Sequence, residues 1–66
     1  MPYYVILDST ANLVDSYTEE AEGRHALEEI VRQDPDAAGE YALLTYDHNG
    51  DPTGESLAGS DLGIHA

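Results

Sequence analysis

The sequence predicts a small single-domain α+β fold in the order β-β-α-β-β. Its four strands form one antiparallel sheet in the spatial order 2-1-3-4, with one helix packed on one face. Three observations carry this expectation. Only Glu19 to Gln33 has clear helical periodicity. Two short runs, Tyr3 to Leu7 and Tyr41 to Tyr46, are rich in aromatic and branched residues, and each is followed by turn-forming residues that send the chain back.

Tyr3 to Leu7 is apolar on both faces and stops at Asp8, which suits a central strand. Asp8, Ser9, Thr10, Ala11 and Asn12 bond their own backbone or tolerate positive φ, so they read as a hairpin loop. The returning strand, Leu13 to Thr18, is more polar and belongs at an edge. Ser16 and Glu19 have the spacing of a capping box, and Thr18 is an alternative N-cap. Glu19, Glu20 and Glu22 then place negative charge against the positive end of the helix dipole.

At about 100° per residue, Ala26, Leu27, Ile30 and Val31 share one side of the helix, and Glu22, Arg24, His25, Glu28, Glu29 and Arg32 share the other. Gly23 falls in the apolar arc, where it costs about 1 kcal/mol of helix propensity against Ala. Close approach to the sheet is the expected return. Glu20, Arg24, Glu28 and Arg32 alternate in sign at i,i+4 spacing, and both cationic side chains sit in that ladder.

Pro35 ends the helix near Gln33, and Asp34 to Gly39 reads as a single capped turn with Pro at its first position. Tyr41 to Tyr46 is the second central strand. The Asn49-Gly50 pair marks a tight hairpin, so a short fourth strand is expected over Thr53 to Leu57, confined to an edge by Pro52 and Gly54. The domain is expected over residues 1–57. Residues 58–66 form a C-terminal tail, with Leu62 and Ile64 as its only large apolar groups, that either docks or frays.

Sixty-six residues bury only about 60% of the surface of the unfolded chain. The chain has no Cys, so neither disulfides nor thiolate zinc sites add stability, and self-association is the remaining aid. Fourteen acidic residues against two basic ones give a net charge of -12, which disfavours direct binding to nucleic acid or to an anionic membrane. The opening residues, Met1 to Asp8, have no cationic start and too short an apolar run for a signal peptide or a membrane span. A cytoplasmic protein is expected.

Candidate chemistry is sparse. Asp47, Asn49 and Asp51 alternate like the start of a calcium loop, but Pro52 stands where that loop needs Gly and Ala58 where it needs Glu. Glu22 with His25, and His25 with Glu29, have metal-ligand spacing on a charged helix face where such spacing arises readily by chance. Eight Ser and Thr lie mainly in turns and caps, without a His spaced to activate one. No phosphate-binding glycine loop is present, and neither enzymatic activity nor a cofactor is expected.

One helix covers one face of a four-stranded sheet, yet both central strands are apolar on both faces. Something else must then cover the second face. A second copy is the first choice, the tail the second, and a different protein the third. The expectation is therefore a small acidic interaction or regulatory module, a homodimer through the sheet face the helix leaves bare. Tyr4, Ile6, Tyr17, Tyr41 and Leu43 are expected to line the interface, because Tyr combines apolar area with a hydrogen-bonding tip. Two alternatives stand beside it: an acidic mimic of nucleic acid that occupies the site of a basic protein, and a weak metal or calcium binder.

Overall fold

A computed structural model describes residues 2–64. Strands β1 (Tyr3–Leu7), β2 (Leu13–Tyr17), β3 (Ala42–Tyr46) and β4 (Pro52–Ala58) form one antiparallel sheet in the order β2-β1-β3-β4. Helix α1 (Glu20–Gln33) lies on one face of it. The α+β class and the strand order are those expected from the sequence.

The two most apolar strands pair at the centre, Val5 opposite Leu44 and Ile6 opposite Leu43. Beneath α1, Leu27 and Val31 join Ile6, Leu43 and Ala38 in one buried cluster. Gly23 does what its place in the apolar arc suggested. A Cβ there would lie 2.9 Å from Leu43 Cδ1 and 3.4 Å from a ring carbon of Tyr17, so the missing side chain lets the helix seat on the sheet.

The capping box does not form. Ser16 stays in β2, where Val5 is its partner and its N–H is donated to Asp15 Oδ1, and Glu19 is the N-cap with no side-chain cap bond. Pairing of Tyr17 with Tyr4 holds the chain extended past the position where local spacing would begin a helix. After α1, Pro35–Glu40 forms a short 3₁₀ helix that buries Ala37 and Ala38.

The tail docks. β4 runs to Ala58, a second 3₁₀ helix covers Gly59–Leu62, and Leu62 and Ile64 pack against the core on the helix side. Gly59 is what admits it. A Cβ there would lie 2.3 Å from the Ala38 carbonyl oxygen, and the Gly59 N–H donates to the Tyr41 carbonyl at 2.8 Å. His65 and Ala66, the last two tail residues, lie outside the described residues.

Candidate functional site

Side chains alternate across a pleated sheet, so the pairing register sorts them into two faces. The face under α1 carries Tyr4, Ile6, Leu43 and Leu57, and Asp15 shares it as the partner of Ile6. The other face carries Tyr3, Val5, Leu7, Ala42, Leu44 and Tyr46 on its central strands, with Ser16 beside Val5 and Ser56 beside Leu44 on the outer ones. Among the described residues, α1, both 3₁₀ helices and the tail pack toward the first face. The second is open.

This corrects the expected interface. Ile6 is fully buried and Leu43 is 4% exposed, both in the cluster beneath α1, and Tyr4, Tyr17 and Tyr41 pack against that cluster. None of the five lies on the open face. The physical reason is parity: β1 and β3 are apolar on both sides, and the helix selected the side on which Leu43 and Tyr17 meet the gap at Gly23.

The open face has a definite composition. Tyr3 and Tyr46 stack with ring centroids 5.3 Å apart and planes 9° from parallel, and the Tyr3 hydroxyl reaches the turn at Gly50. Val5 and Leu44 form the middle, with Val5 screened by its neighbours to 7% exposure. At the β2 side the register slips between Ile6, opposite Asp15, and Leu7, opposite Leu13. Val14 is the extra residue of that bulge. Among the described residues, Leu13 and Val14, 63% and 46% exposed on this edge strand, are the large hydrophobic side chains most open to solvent. Sequence reasoning missed both, since a bulge has no signature in a five-residue polar strand.

Charge is segregated from this surface. The four strands contain two carboxylates, Asp15 and Glu55. Asp15 is on the helix side with Ile6, and Glu55 lines a cleft there with Leu43 and Leu57. The other twelve acidic residues lie in helices, turns and loops.

Two of them shape the hairpins at opposite ends of the face. Asp8 Oδ1 accepts from the Thr10 hydroxyl at 2.7 Å and from the backbone N–H groups of Thr10 and Asn12. The Thr10 hydroxyl and the Asn12 N–H hold the Asp8 carboxyl below its usual value of 3.8. Asp47 Oδ1 accepts from the N–H groups of Asn49 and Asp51 at 2.9 and 3.0 Å, so the stretch that resembled a calcium loop closes on itself as a turn.

On the helix side, Arg32 reaches both Glu28 and Glu29, at 3.4 and 3.1 Å, and Arg24 lies 3.9 Å from Glu28. His25 lies 3.9 Å from Glu29, and among the described residues no three His, Asp or Glu converge as metal ligands. The cleft between α1 and β4, lined in part by Glu20, Arg24, Thr45 and Glu55, holds about 110 Å³. Small-molecule pockets usually hold about 300 Å³ or more. No helix among the described residues is long and apolar enough to cross a membrane. Comparison with protein-family models, with curated proteins and with solved structures found no match.

Proposed function

We propose that this protein is a small acidic interaction or regulatory module that works as a homodimer through the open face of its sheet. The observation that carries the reading is one uncharged and largely apolar surface on a chain of net charge -12. Leu13, Leu44 and the Tyr3 and Tyr46 stack supply that surface around a screened Val5, and Asp15 and Glu55 lie on the helix side. Apolar area gathered in one place and rimmed by charge is the usual mark of a protein contact.

A second copy satisfies such a face without burying a carboxylate, because each partner offers the same uncharged centre. The tail does not compete, since Leu62 and Ile64 are spent on the other side. Sedimentation at micromolar concentration tests this. The expected result is a dimer that Leu13→Glu dissociates while the fold is kept, because Leu13 lies opposite Leu7 on that face and is 63% exposed on an edge strand. A monomer throughout the micromolar range contradicts it.

The distribution of charge supports a second reading. Carboxylates gathered on α1, the 3₁₀ helices and the turns form an acidic exterior that fits a basic protein, standing in for the phosphates of a nucleic acid. Binding of that kind weakens as salt rises. A basic partner captured equally well at low and molar salt rules the mimicry out.

A further inference from the structure

Resting on the reading of the open face as a protein contact, we infer that the face also takes a short cationic amphipathic helix of another protein, seated with an apolar stripe on the sheet and with Lys or Arg at both ends. The sign of the charge points to such a partner. Asp8 stands at one end of the face and Asp47 and Asp51 at the other, and neither turn holds a Lys or Arg. The two Arg residues of the chain, Arg24 and Arg32, lie on α1, across the sheet. A second copy adds another charge of -12 to this surface, whereas a cationic helix offsets the charge already there.

The turns keep that charge available. Asp8 and Asp47 hold their turns through Oδ1, with neutral N–H and hydroxyl donors, so both carboxylates stay negative. An incoming ammonium or guanidinium group meets the second oxygen.

The dimensions fit one helix. Four strands about 4.8 Å apart and five residues long at about 3.3 Å each make a face about 19 Å wide and about 17 Å long. An α-helix is about 10 Å across and rises about 1.5 Å per residue, so about eleven residues run from one acidic turn to the other. The roughly 320 Å² on offer is well below the roughly 800 Å² that each partner brings to a standard interface between folded proteins, and it suits a single segment. On the opposite face the chain does the same with its own helix, which covers Ile6 and Leu43.

The side chains match such a ligand. Leu44 lies in the middle of the face, Leu7 toward the Asp8 end, and Leu13, exposed, at the edge, which gives an apolar stripe its anchor points. The stacked Tyr3 and Tyr46 rings stand at the Asp47 end, where an Arg reaching the turn gains from an aromatic face as well.

The test is titration of the isotope-labelled full chain with a designed helical peptide of about eleven residues, Leu along one side and Lys or Arg at both ends, at about 0.05 M salt. The expected result is binding with chemical-shift changes centred on Tyr3, Leu7, Leu13, Leu44 and Tyr46, weakening about tenfold as salt rises to about 0.5 M. Because a second copy needs the same surface, the peptide also lowers the sedimenting mass of any dimer to that of one chain and one peptide. A peptide of the same composition with its Leu residues shuffled off one side binds more weakly. So does the original peptide to the variant carrying Asp8→Asn, Asp47→Asn and Asp51→Asn, which keeps the Oδ1 acceptors of both turns.

Shift changes centred on the outer side of α1, or equal binding of the shuffled peptide, reduce the effect to bulk charge attraction and overturn the inference. A turn variant that binds as the parent does, or no binding at all, overturns it too. Sedimentation of the chain without peptide then separates that failure from failure of the reading beneath it: a dimer that Leu13→Glu dissociates keeps the face as a contact between copies, and a monomer removes the contact altogether.

Discussion

The two hairpin turns have one design at the level of single residues. In each, an Asp carboxylate accepts from the N–H groups two and four positions on, and its backbone N–H donates to the carbonyl of the fourth residue. The third residue after the Asp has positive φ, Gly50 at 86° and Ala11 at 62°. Glycine occupies that conformation freely and alanine does not. Ala11→Gly is therefore expected to stabilise the protein by about 1 kcal/mol, a rise of roughly 4–8 °C in melting temperature; an unchanged or lower value contradicts the strain. Asp8 adds a pH dependence. Its folded pKa lies below the unfolded value of 3.8, so its contribution is present above that value and is lost as pH falls through the lowered one. The difference in melting temperature between the parent and Asp8→Ala should be full at neutral pH and shrink in acid. A difference independent of pH would show that the turn does not depend on the charge. Asp8 and Asp47 were legible as turn residues from sequence because their hydrogen bonds are local. That neither Ser16 nor Thr18 caps the helix was not, because β2 pairing keeps the chain extended and leaves Glu19 as the N-cap.

Among the secondary-structure elements, helix and strands were readable where burial and periodicity agreed. β1 runs from Tyr3 to Leu7 as expected, α1 ends at Gln33 before Pro35, and β2 and β3 each start or stop one residue inside their expected bounds. The face beneath the helix was not readable, since Tyr3, Val5 and Leu7 are as apolar as Tyr4 and Ile6. Docking of the tail rested on contacts distant in sequence. Gly59 meets Ala38 and Val31, and nothing near Gly59 announces that. Gly59→Ala would drive a methyl into the Ala38 carbonyl and is expected to cost about 1–3 kcal/mol, with Leu62 and Ile64 amides exchanging faster. Unchanged stability and exchange would show that the tail contributes nothing to the fold. Leu27, fully buried at the centre of the cluster, should cost about 2–5 kcal/mol as Leu27→Ala, whereas exposed Val14→Ser should stay within about 0.5 kcal/mol. Equal losses at the two positions, measured by chemical denaturation, contradict the assignment of the faces.

For the whole molecule, the composition sets the terms on which the fold survives. Fourteen carboxylates and two guanidinium groups on 66 residues repel one another in the compact state, so salt from low to moderate concentration should raise the melting temperature. A flat response contradicts this. Both Arg residues pair with α1 carboxylates, and among the described residues no Lys or Arg lies beside the acidic groups of the turns. The mismatch between one helix and a sheet apolar on both sides was visible in the sequence. The chain resolves half of it, by packing α1, two 3₁₀ helices and the tail on the Ile6 side. On the other side, Val5 and Leu44 have no helix over them among the described residues. The most direct test is an isotope-filtered NOE experiment at about 1 M salt on an equal mixture of labelled and unlabelled chains. The account predicts contacts between copies among the methyl groups of Leu7, Leu13 and Leu44. Contacts confined to the outer side of α1 or to a strand edge, or none at all, would contradict it.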